Sequence, residues 1–282
     1  MKFWTQVSFP PLEEPILLSD SIMLLGSCFA DSVGEKMAAA GFETIVNPFG
    51  TLYNPASLLG AVRRLDSNSL FGPSDCEKMG AGVDKVCSFE HHTSFARSTS
   101  EEFLENANSK LLEARDFWKR CNKVILTLGT SFVWYRDGAP VANCLKRPAG
   151  EFTRSMLSVE ESAKCINEIV ESHPEKAFLL TVSPIRHLGD GAHANSLSKA
   201  SLLLACNECK KAAYFPAFEI MNDELRDYRF YADDLVHPSP MAVERIWELF
   251  LEGCTKGAER AVIEANEKAA RRKAHRPLLK EE

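Results

Sequence analysis

Short apolar runs alternate with amphipathic stretches along the chain. SIMLLG (residues 21–26) is apolar at successive positions, which predicts a strand buried on both faces. FADSVGEKMAAAG (29–41) follows with helical spacing and ends on Gly41, a C-cap residue type. FETIV (42–46) predicts a second strand and ASLLGAVRRL (56–65) a helix; NPFGTLYNP (47–55) between them carries two Asn-Pro turn signals. Periodicity weakens from Asp66 to Ser100, where FGPSDCEKMGAGVDK reads as loop and VCSFEHHTSFARS as a short strand or hairpin. Helical spacing returns in SEEFLENANSKLLEARDFWKRC (100–121), with Ser100 as the candidate N-cap and acids in the first turn. KVILTLGT (123–130) and KAFLLTVSP (176–184) predict buried strands, with a helix from Val159 to His173 between them. SKASLLLACNECKKA (198–212) predicts a helix, AYFPAFEI (213–220) a short strand and SPMAVERIWELFLEGC (239–254) a further helix.

Strands alternating with helices imply right-handed crossovers, hence an α/β fold with a mostly parallel central sheet between two helical layers. The expected organisation is one domain over residues 1–282, with a lid or rim insertion at about 66–100. A helical tail rich in Ala, Glu, Lys and Arg follows Gly257; a solvated helix is expected there, with AHRPLLKEE (274–282) fraying. At 45% hydrophobic residues the chain can bury a substantial core. The net charge of -6 argues against nucleic acid or an anionic membrane surface as the partner. No run approaches the roughly 18 apolar residues of a membrane span. MKFWTQVSFPPLEEP lacks the features of a signal peptide, and nine cysteines stand without a framework spacing. Reduced thiols and a cytoplasmic location are expected.

In an open parallel sheet, ligands bind beyond the carboxyl ends of the strands. Four strand ends therefore matter: Gly26-Ser27-Cys28, NPFGTLYNP after Val46, LGTSFVW after Leu126 and SPIRHLGDG after Val182. Cys28 falls at the start of a predicted helix, where backbone N–H groups and the helix dipole favour an anion. That placement lowers a thiol's pKa and yields the thiolate that attacks carbonyl carbon. Ser27 is the alternative nucleophile, a hydroxyl that needs an adjacent base. Packing is the competing role for Cys28, since free cysteines are commonly buried. In DDLVHPS, Asp234 and His237 are spaced so that a turn lets the carboxylate reach the imidazole and fix its tautomer. A helix-start turn with a surface histidine is the competing reading, and Asp233 is a weaker candidate for the same acid.

LGSCFA (25–30) resembles the signature after which the GSCFA family is named. NPFGTLYNP, LTLGTSFVW, TVSPIRHLGDG, NSLSKASL and YFPAFEIMNDELRDYRFYADDLVHPS resemble its recurrent blocks, in order from Leu24 to Ser239. That family is regarded as related to the SGNH (GDSL-type) hydrolases, so the resemblance implies a flavodoxin-like αβα fold. It further implies Cys28 as nucleophile, His237 as base and Asp234 as orienting acid. Gly50, and Gly129-Thr130-Ser131 in place of Gly-x-Asn, fall on the oxyanion-hole positions. Cysteine stands where the SGNH hydrolases have serine and no asparagine stands at Ser131, so Asn54 becomes a candidate amide donor. The implied activity is hydrolysis or transfer of an acyl group from an ester or thioester. The implied substrates are small molecules or glycans, an acyl-CoA donor among them, with no cofactor and no metal. The contrasting class is an inactive hydrolase scaffold that binds a glycan or acyl ligand.

Arg186 and His187 follow a predicted strand. Arg186 can clamp a carboxylate or phosphate, and His187 can line the same pocket; a loop anchored by a salt bridge is the alternative. Asn195 and Lys199 read as helix-capping and surface residues, with Lys199 alternatively facing the site. His91 and His92 are adjacent on an extended segment and point to opposite faces, which makes them poor joint metal ligands. They read as packing, surface or substrate-lining residues. Cys206 and Cys209 form a Cys-x-x-Cys without a second pair, which favours packing over zinc. The aromatics of DYRFY and Trp134 are expected to cover the core or wall the pocket. No phosphate-binding glycine loop is present.

Overall fold

A computed structural model describes residues 5–274; most of the segment expected to fray lies outside the described residues. The elements run β1 (Ser21–Gly26), α1 (Cys28–Ala40), β2 (Glu43–Val46), α2 (Pro55–Asp66), β3 (Glu77–Lys78), β4 (Val86–Cys87), α3 (Ser100–Arg120), β5 (Lys123–Leu128), β6 (Phe132–Arg136), β7 (Ala139–Val141), β8 (Thr153–Met156), α4 (Val159–Glu171), β9 (Ala177–Val182), α5 (Ala192–Glu208), β10 (Ala213–Tyr214), the single turn α6 (Ala217–Glu219), α7 (Pro240–Cys254) and α8 (Arg260–Ala274).

The central sheet has the order β10-β9-β5-β1-β2, and every pairing in it is parallel. Its inner strands β1, β5 and β9 are apolar on both faces because both faces are covered. Met23 and Leu25 of β1 pack with Leu58 of α2, Phe103 of α3, Ile166 of α4 and Leu202 of α5. Ile22 and Leu24 point the other way, toward Met37 of α1, Ile246 of α7 and Ile263 of α8. This period-2 split of one apolar run builds the three-layer αβα architecture that the alternation predicts. The chain leaves β1 for β2 on one side and returns to β5 on the other. The switch point lies between β1 and β5, which places the ligand crevice at their carboxyl ends.

Several local features differ from the sequence expectations. Thr99, not Ser100, caps α3 by accepting from Glu102 N. The strand expected over 213–220 shrinks to β10, because Pro216 lacks an N–H and opens a helical turn. The helix expected from 198 begins earlier, at Ala192, after Gly191. β7-β6-β8 form a separate antiparallel sheet, which the sequence expectations did not include. The tail helix α8 is not simply solvated: Ile263 is buried, and Asn266 Nδ2 donates to Ala40 O at 2.9 Å.

The 66–100 stretch contributes Phe71, Val86, Cys87 and Ala96 to the core. Glu77 of β3 pairs with Arg136 and Arg147, at 3.0 Å each. His91 and His92 do point to different surroundings. His91 is buried against the rings of Phe49, Phe71, Phe95 and Phe103. Burial drives its pKa down to about 3. The unfolded chain therefore takes up a proton below about pH 6.5 that the folded chain refuses. Stability present above that pH should fall as pH drops toward about 3, by roughly 1.4 kcal/mol per unit for this group. Urea midpoints measured across that range should show a flatter slope for His91→Phe than for the unaltered chain; equal slopes would contradict the assignment.

Candidate active site

At the end of β1, Gly26 has φ 147° and donates from N to Asn47 Oδ1 at 2.8 Å. Leu52 N donates to Gly26 O, and Ser27 N to Thr127 O. These bonds stop the strand and turn the chain into α1. Ser27 caps that helix, its Oγ accepting from Phe29 N at 3.3 Å, and the residue is fully buried. Cys28 is the first helical residue and is half-buried. Of the adjacent pair, serine is the cap and cysteine is the group presented.

The second half of the site is the loop between Phe230 and Ser239. Ala232 N donates to His237 O and Ser239 N to Phe230 O, closing a narrow turn with Leu235 at φ 56°. Asp234 Oδ1 accepts from Val236 N and His237 N, both at 2.9 Å, while Oδ2 lies 2.6 Å from His237 Nδ1. These contacts, the His237 backbone N–H first, hold the Asp234 carboxyl down at about 2. An ionised carboxylate on Nδ1 keeps the proton of a neutral imidazole on that nitrogen, which leaves Nε2 as the acceptor. Nε2 lies 3.5 Å from Cys28 Sγ. Arg186 braces this loop from the end of β9: its N donates to Val236 O, Nη1 to Leu235 O, and the guanidinium lies 5.2 Å from the Tyr231 ring centroid. These contacts tie Arg186 to the loop through its backbone N–H and Nη1. Asp233 is exposed.

The helix start does not lower the Cys28 thiol as expected. Burial pushes it above its ordinary value of 9.0, and Asp31 adds to the rise. The Cys28 and Phe29 N–H groups and Lys199 pull the other way without prevailing. The sulfur therefore rests as a thiol at neutral pH.

The oxyanion-hole positions implied by the resemblance are largely occupied. Gly50 N donates to Asn47 O at 2.7 Å. Gly129 N and Thr130 N both donate to Tyr53 O, at 2.8 and 2.9 Å. Thr130 Oγ1 and Ser131 N bond to Ser198 Oγ, and Ser131 is fully buried. These residues build the framework, and their N–H groups are spent on it. Two donors remain. Cys28 N–H is one of the helix-start groups without an intrahelical acceptor. Asn54 caps α2 through Oδ1, which accepts from Ser57 N at 2.8 Å; its Nδ2 has no partner among the described residues.

His187 and Lys199 sit beside this framework. The His187 ring meets Tyr53 edge-on at 5.5 Å, and its backbone N donates to Asn195 Oδ1 at 2.8 Å. A Cβ on Gly129 would stand 3.0 Å from His187 Nε2, a buried nitrogen without a partner among the described residues. Burial, then Lys199 and His237, pull His187 down to about 4. Lys199 is buried rather than on the helix surface, its Nζ donating to Gly129 O and Ser183 O, each at 2.7 Å. Sequence reasoning missed Asn47 and Asp31, which bond to each other at 2.7 Å and support Gly26. The Asn-Pro turn and the one-turn spacing of Asp31 from Cys28 were the available signals.

His92 packs on Gly50 and binds Ser94. Trp134 lies under the Arg154 guanidinium, 4.9 Å away, and belongs to the small sheet. Of the DYRFY aromatics, Phe230 and Tyr231 pack on the core while Tyr228 stays exposed. Cys206 and Cys209 are both buried. Among the described residues, no cluster of three His, Cys, Asp or Glu side chains has metal-binding geometry, and no helix is long and apolar enough to cross a membrane.

The GSCFA family model matches residues 21–250. No curated protein matches the chain. Among solved structures, an alpha/beta hydrolase enzyme from the metagenome of Lake Arreo, Spain, is 10% identical with a TM-score of 0.47, over 85% of this chain and 97% of that one. A mutant acetyl-xylooligosaccharide esterase from Geobacillus is 9% identical with a TM-score of 0.44, over 84% and 94%. A family 3 carbohydrate esterase from Clostridium thermocellum is 14% identical with a TM-score of 0.38, over 87% and 98%.

Proposed function

The chain belongs to the GSCFA family, and we propose that it hydrolyses or transfers acyl groups through a thioester on Cys28. One run of contacts carries this reading: Asp234 Oδ2 at 2.6 Å from His237 Nδ1, and His237 Nε2 at 3.5 Å from Cys28 Sγ. The thiol is protonated at rest, so His237 works as a general base during attack rather than beside a preformed thiolate. Sγ bonds to the carbonyl carbon as Nε2 takes its proton. Negative charge moves to the carbonyl oxygen, where Cys28 N–H and Asn54 Nδ2 are the donors left to receive it. Collapse expels the alcohol or thiol, which takes the proton from His237, and leaves the acyl group on sulfur. Water or an acceptor hydroxyl then attacks with His237 again as base. The Cys28 sulfur leaves and recovers its proton. Esters of small molecules or glycans and acyl-CoA thioesters present the same carbonyl to this pair.

One observation favours a binding protein instead: the N–H groups of Gly50, Gly129 and Thr130 are already spent on carbonyls. An acyl-enzyme separates the two readings. The protein is mixed with p-nitrophenyl acetate or an acetyl thioester, quenched in acid and mapped by mass spectrometry. The expected result is one acetyl group on Cys28 and none on Ser27. No adduct and no turnover across a panel of acyl esters and thioesters would overturn the proposal and leave a binding protein.

A further inference from the structure

Lys199 has a placement that surface decoration does not require. It lies within α5 and is 2% exposed. Its Nζ donates to the carbonyls of Gly129 and Ser183, the residues just past β5 and β9, and forms no ion pair among the described residues. The neighbouring Ser198 bonds Thr130 and Ser131. Two successive residues of one helix thus clamp the turn after β5. Gly26 of β1 is level with Thr127 of β5. Cys28 and Gly129 each lie two residues further on, past the carboxyl edge of the sheet.

A buried amine without a carboxylate is costly, and an apolar side chain of similar length would avoid that cost. We propose that Lys199 is a positioning residue for the nucleophile: it ties the ends of β5 and β9 together and stabilises negative charge on the Cys28 sulfur. This rests on the reading of Cys28 as nucleophile.

The groups that face Cys28 are few. Asp31 on its own helix opposes the thiolate, and Lys199 favours it. His237, with Asp234, comes from the 230–239 loop. Tyr53 comes from the loop after β2. Burial brings Lys199 itself down to about 7, and the Cys28 charge raises it against that trend. Two interacting groups do not lose their protons independently, so removing the Lys199 charge should make the Cys28 thiol harder to ionise.

The test is the rate of Cys28 alkylation by iodoacetamide against pH, read at Cys28 by mass spectrometry; it needs no acyl substrate. The rate of the unaltered protein should rise with pH as the thiol ionises. Lys199→Gln keeps an amide donor for the carbonyls and removes the charge. Its profile should move to higher pH, and its rate at pH 7 should fall at least about tenfold, the equivalent of one pKa unit. Unfolding would move the rate the other way, by exposing the sulfur. Asp31→Asn, which removes the opposing charge, should raise the rate at pH 7. An unchanged Lys199→Gln profile would overturn the proposal. A shifted Lys199→Gln profile together with no acyl adduct on Cys28 would mean that the acyl-transfer reading had failed while the Lys199–Cys28 coupling stood.

Discussion

His237→Ala and Cys28→Ala should each lower kcat/KM for p-nitrophenyl acetate by on the order of 10⁴-fold or more, and the double variant should lose hardly more than either alone. Groups that act as one unit are strongly non-additive, because removing either ends the same step. Asp234→Asn should cost less. It keeps one oxygen for the backbone N–H groups of Val236 and His237 but no longer holds the proton on Nδ1 through a charge. A drop of about 10²–10⁴-fold is expected, since the wrong tautomer leaves Nε2 unable to accept. Steady-state rates, with circular dichroism to confirm folding, decide this. A His237→Ala variant at full rate would remove the imidazole from the mechanism. A Cys28→Ala variant at full rate would remove the sulfur.

Gly26→Ala should destabilise the protein by about 2–6 kcal/mol, combining roughly 1–3 for backbone strain with roughly 1–3 for forced packing. A Cβ at this position would stand 2.1 Å from Thr127 O, and the residue has φ 147°, which L side chains rarely adopt. Thr127 is itself in β5, hydrogen-bonded to β1 and β9, so the obstructing atom is backbone at the centre of the sheet. Relief requires β1 to move from β5, which also displaces Cys28 from His237. A lower denaturation midpoint and slower turnover should therefore appear together. An unshifted midpoint in guanidinium would show that the strand ends differently from this description.

Much of the architecture was legible because apolar runs and amphipathic stretches answer to local rules. β1, β5 and β9 are continuous apolar segments, and strands of that kind need cover on both faces. α1 was bounded by a cap and by Gly41, whose N–H bonds back to Met37 and Ala38. The small antiparallel sheet was not legible, because β8 (TRSM) is exposed along its length and carries no alternation. Cys28, His237 and Asp234 were nominated by short motifs: the Asp234–His237 contact lies within one turn, whereas the Cys28–His237 contact joins distant parts of the chain and came only with folding.

The chain's own pattern determined the αβα layering, the strand ends that matter and the residue types able to do acyl chemistry there. Packing alone decided how those residues behave. Burial holds the Cys28 proton on sulfur against the pull of the helix start. The N–H groups of Gly129 and Thr130 close onto the distant carbonyl of Tyr53. Lys199 turns inward to two carbonyls. The physical reason is common to all three: ionisation and hydrogen-bond saturation depend on what surrounds a group in space, and those neighbours come from segments far apart in the chain.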